Sequence, residues 1–401
     1  MTTLPLVPLD PVRFEAAWTS LEESFGGAPH PADADVEHAV VDPSRFLVAL
    51  DGEQVDATAG SFALQMSLPG TGPAPVAGVT WVSVAPTRRR QGLLRALMDR
   101  LLRERWEAGE SVAALWATEA AIYQRYGYGP ASAGLTVEVP RGAAFVRPVE
   151  RGGVRLVDPD PARLDPVQRR VAERTPGWYL RDAALWAYRL HDPEHRREGA
   201  SPLRCLVTEA GDGYALYATT SRSGPAGPDG QVRVRELAAA TPDAAARLWR
   251  FLLDLDLTTR TSARVAVDDV LLQLLAEPRA AVPRLTDALW VRPVDVGRAL
   301  AARRYATDVD VVLAVADDTC PWNTRSWRLS GGPAGVVCAP TGDPADLSLT
   351  AADLGAALLG GTSLHARAAA GTVAEHRPGS LAVAATAFGP LGRAPHCPMV
   401  F

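Results

Sequence analysis

The stretch Val79–Leu102 constrains this chain more than any other. An apolar strand runs to Val84 and stops at Pro86. A basic turn follows, Arg88-Arg89-Arg90-Gln91-Gly92, and an amphipathic helix is expected over Arg90–Glu107. Its Leu94, Leu97, Met98, Leu101 and Leu102 share one face at a period of 3.6 residues. A helix start offers unpaired backbone N–H groups and a positive dipole end. Gly92 lets a ligand approach the backbone closely. The arginines add charge and bidentate donors for phosphate oxygens. Together these features predict a diphosphate site. GxGxxG is missing, so this is not a dinucleotide fingerprint, and GK[ST] is missing, so it is not a P-loop.

The chain has 401 residues, enough for two or three domains. At 47% hydrophobic and 22% charged residues it lies in the globular range, which excludes disorder as its main state. Lys and Arg total 41 against 46 Asp and Glu, a net charge of −5, so no nucleic-acid partner is expected. Cys205, Cys320, Cys338 and Cys397 are far apart and form no CxxC, which argues against a disulfide framework or a thiolate zinc site. The seven histidines form no HExxH, and Asp192-Pro193 interrupts His191 and His195, so no metal site is expected. The opening MTTLPLVPLD has neither a basic nor an apolar leader region, and Val309–Ala316 is too short to span a bilayer. A cytoplasmic protein with no membrane partner is the expectation.

Three units follow along the chain. In the first, Arg13–Phe25 reads as a helix, followed by a loop rich in Pro and Asp. Arg45–Leu50, Ala57–Leu68 and Val76–Val84 read as strands, with a turn at Pro69–Pro75. After the Arg90–Glu107 helix come a strand at Ser111–Ala117, a short helix at Ala120–Arg125 closed by Gly127, and a strand at Leu135–Val139. Pro140–Pro166 resembles a linker with one strand, Val154–Val157. The second unit has helices at Leu164–Glu173 and Ala183–Arg189 and a hairpin of Leu203–Glu209 with Tyr214–Thr220. A strand at Val232–Ala238, a helix at Pro242–Asp254 and a strand at Ser262–Val267 complete it. That order repeats the first unit without the Gly-rich helix entry, which suggests a diverged duplication. The third unit, from about Trp290, has a helix at Val294–Ala302 and strands at Val309–Ala316, Arg325–Leu329, Gly335–Cys338 and Asp346–Leu349. Helices at Ala351–Leu359 and Thr362–Ala370 follow. Leu381–Phe388 is apolar enough to be buried, and the end Pro398-Met399-Val400-Phe401 is apolar where free tails are usually polar, so the C-terminus is expected to dock.

Two segments carry a family resemblance. Arg89-Arg90-Gln91-Gly92-Leu93-Leu94 is similar to the coenzyme A motif of the GCN5-related N-acetyltransferases (GNAT), with Leu94 where Gly or Ala is usual. Val84–Arg95 and Ile122-Tyr123-Gln124-Arg125-Tyr126-Gly127-Tyr128-Gly129-Pro130 together resemble the two signatures of the Eis (enhanced intracellular survival) acetyltransferases, an actinobacterial type. The resemblance implies an α+β fold: two acetyltransferase-like domains with mixed central sheets, and a C-terminal sterol-carrier-like α/β domain. The corresponding partition is 1–139, catalytic; 140–288; and 289–401, which supplies the terminal carboxylate. It also implies an acetyl-CoA-dependent N-acetyltransferase of primary amines, aminoglycosides or lysine side chains among them, that assembles as a homohexamer.

The same resemblance implies the site residues. Val82 and Val84 would offer backbone groups to the pantetheine arm, while Arg89, Arg90, Gly92 and Leu93 surround the pyrophosphate. Thr118 stands near the cofactor thiol, Tyr123 matches the general acid, and the Phe401 carboxylate matches the base. The residue types suit the chemistry. A phenol of pKa about 10 can serve a leaving thiol near 8.5. A terminal carboxylate of pKa about 3.5 is a weak base for an ammonium near 10, so it works mainly by attracting and orienting the amine. Tyr126 and Tyr128 are competing phenols. Val400 replaces the acidic residue that precedes the terminal Phe in the family, and Ser24-Phe25 is followed by Gly26-Gly27 instead of Asp, with Glu22 and Glu23 nearby. Both departures weaken the expectation for polycationic substrates. The competing readings are a lipid carrier, from the C-terminal unit, and a non-catalytic CoA-binding regulator.

Overall fold

The computed structural model describes residues 4–150, 152–225 and 227–401; Met1 to Thr3, part of the opening read for a leader, lie outside them. The chain forms two compact units. One comprises Met1–Ser132, Leu289–Leu391 and Val400–Phe401, and the other Ala133–Ala288 and Gly392–Met399. The architecture is α+β throughout, with mixed sheets.

In the first unit, seven strands pair in the order Leu6–Pro8, Phe46–Asp51, Gln54–Leu68, Gly72–Val84, Val112–Trp116, Leu289–Pro293, Gly129–Pro130. The chain folds Gln54–Leu68 and Gly72–Val84 into one long hairpin, so the strand begins at Gly72, inside the segment expected to turn. The helix Leu93–Glu107 buries Leu93, Leu97, Met98, Leu101 and Leu102 on this sheet. It starts three residues later than the hydrophobic period suggests. Arg90 (φ 63°) and Gly92 (φ 88°) both take left-handed backbone, which no helix can contain. The Pro- and Asp-rich loop after the first helix, Phe14–Ser24, itself carries a helix, Ala34–Val40.

The strand Leu289–Pro293 pairs with Val112–Trp116 on one side and Gly129–Pro130 on the other. The helix Ala351–Leu358 packs closely here. A Cβ on Gly355 would lie 2.0 Å from the Val291 carbonyl oxygen, and one on Gly129 would lie 2.0 Å from that of Ala352. Only glycine permits that approach. A further sheet runs Gly335–Pro340, Arg325–Gly332, Val309–Ala316, Leu347–Thr350, Ala374–Glu375. The apolar stretch near the C-terminus forms the helix Ser380–Ala387, but it is only partly buried: Ala384 and Ala387 face inward while Val383 is 43% exposed. A helix rotates its side chains through all directions, so an apolar run against one neighbour leaves one face open.

The second unit has seven strands in the order Arg284–Asp287, Ala133–Pro140, Thr258–Ala266, Gly230–Ala239, Gly213–Thr220, Arg204–Thr208, Val154–Val157. The helix Pro242–Asp254 covers one face with Leu248, Trp249, Leu252 and Leu253. No helix among the described residues is long and apolar enough to cross a membrane.

Candidate active site

Strands Gly72–Val84 and Val112–Trp116 run parallel, and their ladder joins Ala77 to Ala113 and Gly78 to Ala114. Past those pairs they diverge. The cause lies on the other side of Gly72–Val84, where the register against Gln54–Leu68 moves from Ser83 opposite Thr58 to Thr80 opposite Gly60. The strand therefore carries one extra residue, a bulge, with Trp81 at φ 51°. Thr58 Oγ1 donates to the Trp81 carbonyl at 2.5 Å and lies 2.9 Å from Ser83 Oγ, which satisfies the disrupted ladder. The Trp81 ring is locked between Phe14 and Phe46, each 5.4 Å away. A cleft thus opens at the carboxyl ends of two parallel strands, where open α/β sheets bind ligands. The backbone of half-buried Val82 and Val84 lies along it.

At the end of that strand, Gly92 caps the helix Leu93–Glu107 without any side-chain cap, so the first-turn N–H groups are open. Space does not require glycine here, since a Cβ would meet nothing within 4 Å; its φ of 88° does. Arg89 and Arg90 are exposed. Arg89 Nη2 donates to the Ser24 carbonyl and its Nε to that of Val84, both at 3.3 Å. Arg88 is committed elsewhere: it pairs with Asp51 and, at 2.8 Å, with Asp56, whose side chain is 1% exposed. The open N–H groups and two arginines at the cleft's end fit a diphosphate.

Tyr123 ends the short helix Ala120–Tyr123 beyond the diverging strand. Its ring is 9% exposed and joins the same apolar cluster as Leu93. Burial, with Glu119 adding to it, pushes its phenol up to about 12. Tyr128 packs edge-on against it at 6.1 Å and is fully enclosed, hydroxyl included. Burial raises the phenol of Tyr126 as well. Arg292 anchors this segment. Itself 0% exposed, it donates to the Tyr126 carbonyl and, through Nη2, to Asp317 at 2.5 Å. Thr118 is exposed just past the strand Val112–Trp116.

The ring of Phe401 lies against Gly78, with Cε2 3.1 Å from where a Cβ would stand. Gly78 is the last residue of its strand to pair with Val112–Trp116. The structure therefore brings Val82, Val84, Arg89, Arg90, Gly92, Leu93 and Phe401 along one strand and its exit, with Tyr123 in the same core. Three contributors escape sequence reasoning: Gly78, the Trp81 bulge and Arg292. A glycine amid an apolar strand was the available signal for close approach at Gly78.

A splayed parallel pair, a bulge and an uncapped helix entry at the cleft define an acetyl-CoA-dependent N-acetyltransferase of the GNAT superfamily. Acetyltransferase (GNAT) domain models match residues 8–131 and 177–293, and a sterol carrier protein domain model matches residues 296–398. The chain belongs to the actinobacterial Eis-like family of N-acetyltransferases. It is 36% identical over 369 residues to N-acetyltransferase Eis of Mycobacterium tuberculosis, covering 87% of each chain. It is 40% identical over 388 residues to an uncharacterized N-acetyltransferase of Streptomyces avermitilis, covering 92% of this chain and 93% of that one. The crystal structure of Eis1 from Mycobacterium abscessus superposes with a TM-score of 0.86 at 30% identity, over 100% of both chains.

Proposed function

We propose that this enzyme acetylates primary amines, on aminoglycosides or lysine side chains, by direct attack, with Tyr123 as general acid and the Phe401 carboxylate as base. The observation that carries this reading is the seat of Phe401 on Gly78, four residues before Val82 on the strand that borders the cleft. Acetyl-CoA supplies an acetyl thioester. The chain's residues do the rest: Arg89, Arg90 and the N–H groups after Gly92 hold the diphosphate, and Val82 and Val84 align the pantetheine arm. Thr118 borders the thiol. The Phe401 carboxylate attracts an ammonium and takes up its proton, directly or through water. Tyr123 donates to the departing sulfur. A phenol near 12 does not give its proton fully to a thiolate whose acid has pKa about 8.5, so its contribution is a strong hydrogen bond.

The partition into 1–139, 140–288 and 289–401, a homohexameric assembly and a cytoplasmic location belong to the same reading, on family resemblance. The decisive experiment is a panel of aminoglycosides, polyamines and lysine peptides with acetyl-CoA, read as free thiol release, for the parent enzyme and for a form extended by glycines after Phe401. The extension should cut kcat/KM by at least about 10-fold and leave acetyl-CoA affinity nearly intact. Parent turnover in the extended form would refute the terminal base and turn attention to Glu22 and Glu23.

A further inference from the structure

The second unit repeats the layout of the candidate active site. Strands Gly230–Ala239 and Thr258–Ala266 are parallel and pair from Gly230–Thr258 to Val234–Ala263, beyond which the ladder stops. Gly230–Ala239 also carries an extra residue: against Gly213–Thr220, the register moves from Val234 opposite Tyr217 to Glu236 opposite Leu216. The entrance differs. The helix Pro242–Asp254 begins with proline, which has no N–H. Thr241 caps it, accepting from Ala244 N at 3.2 Å. The uncapped helix entry that suits a diphosphate in the first unit has no counterpart here.

The chain's own end borders this second cleft. Val234–Leu237 and Ala263–Ala266, from the two strands, line one cavity with Arg393, Ala394, His396 and Pro398. Ala394 N donates to the Asp268 carboxylate at 2.7 Å. Asp268 stands two residues past the strand Thr258–Ala266, as Thr118 stands two residues past Val112–Trp116. His396 N donates to the Pro176 carbonyl at 2.9 Å. Gly177 lies so close that a Cβ on it would stand 3.0 Å from the His396 carbonyl oxygen. His396, Cys397 and Met399 are buried, whereas Val400 is 56% exposed. Pro395 and Pro398 fix φ and stiffen the segment. Gly392–Met399 belongs to the second unit and Val400–Phe401 to the first.

We propose that the second unit's cleft is the mooring of the chain end, with Asp268 a positioning residue for the Phe401 carboxylate. The inference rests on the reading of that carboxylate as the base. A free tail would disperse the carboxylate over many positions, and ordering it costs conformational entropy at every residue. Hydrogen bonds and burial along Gly392–Met399 offset that cost before Val400 is reached. One peptide bond past the mooring only two residues remain to be placed, and the ring of Phe401 against Gly78 fixes the last. A cleft without a diphosphate cradle thus holds the base where an oriented amine needs it.

The first test is release of Phe401 from the full-length enzyme by a carboxypeptidase, a rate that follows the population of undocked tails. Asp268 is exposed, so Asp268→Ala should fold with an unchanged Tm. It removes the acceptor for Ala394 N and should speed release about 10-fold. Asp268→Asn keeps an acceptor oxygen and should stay within about 2-fold of the parent. The second test inserts two glycines between Met399 and Val400, which leaves the mooring and the terminal Phe in place and breaks the spacing between them. Amine kcat/KM should fall about 10-fold with acetyl-CoA affinity unchanged. The proposal is overturned by release unchanged in Asp268→Ala, by release raised only together with a lowered Tm, or by equal release in Asp268→Ala and Asp268→Asn. Parent turnover in the inserted form, when the form extended after Phe401 has lost it, also overturns it. If the inserted and extended forms both keep parent turnover, the terminal base is refuted and the release rates alone decide the mooring.

Discussion

Phe401 and Gly78 touch: the terminal ring occupies the space that a side chain on Gly78 would fill. A Cβ there would also press on Leu64, 2.5 Å from its Cδ1. Leu64 is 1% exposed and has little room to retreat. Gly78→Ala should therefore cost about 1–3 kcal/mol in stability and dislodge the chain end. Denaturant melting measures the first effect. Release of Phe401 by a carboxypeptidase, faster in the variant than in the parent, measures the second.

The three arginines before Gly92 should separate by function. Arg89→Ala with Arg90→Ala is expected to weaken acetyl-CoA binding at least about 10-fold without lowering Tm, since both side chains are exposed. Arg88→Ala should do the opposite. It strips Asp56 of its 2.8 Å ion pair and leaves a buried carboxylate with Gln54 as its side-chain hydrogen-bond donor. A loss of about 1–3 kcal/mol is expected, with acetyl-CoA affinity changed far less than in the double variant. Calorimetric titration beside thermal melting distinguishes the two.

Tyr123→Phe should lower kcat about 10- to 100-fold while leaving stability within about 1 kcal/mol. Its pH behaviour follows from burial. A phenol pushed up to about 12 stays protonated through neutral and moderately alkaline solution. Turnover of the parent, read as thiol release, should show no loss of the acid between pH 7 and about 10, where an ordinary tyrosine would begin to titrate. A decline near pH 10 that vanishes in Tyr123→Phe would contradict the assignment.

His396 predicts acid sensitivity. Burial lowers its pKa from 6.5 to about 4, outweighing the raising effect of Glu236. A depressed folded-state pKa contributes nothing above the unfolded value, because both states are then neutral. Below it the unfolded chain binds the proton first. Stability should fall as pH drops from about 6.5 to about 4, by about 3 kcal/mol, and level off below. His396→Gln should flatten that part of the profile in urea melts taken at successive pH values.

The break between strand and helix at Gly92, the helix face of Leu97, Met98, Leu101 and Leu102, and the helix Pro242–Asp254 were all legible, because each depends on local periodicity and local backbone chemistry. The start of the helix Leu93–Glu107 was not. Apolar spacing is silent about left-handed residues, and Arg90 is a residue type that seldom adopts φ 63°. Asp56 and Arg88 are 32 positions apart, so nothing in the basic turn reveals that one of its three arginines is already spoken for. The cleft depends on a bulge at Trp81, and a bulge is a relation between two strands. The contact of Phe401 with Gly78 joins residues 323 positions apart. Only the apolar terminus hinted at it.

The strand Leu289–Pro293 has a consequence for biosynthesis. It sits between Val112–Trp116 and Gly129–Pro130, yet it is encoded roughly 170 residues after the former. A ribosome adding about 5–20 residues per second takes about 10–30 s to supply it. Throughout that interval the nascent sheet of the first unit holds Val112–Trp116 as an unpaired edge, the feature that recruits chaperones or foreign strands. Every strand of the second unit is made before the first can close. Gene fragments that end before Leu289 inherit the open edge permanently, and they are the ones that should emerge as inclusion bodies.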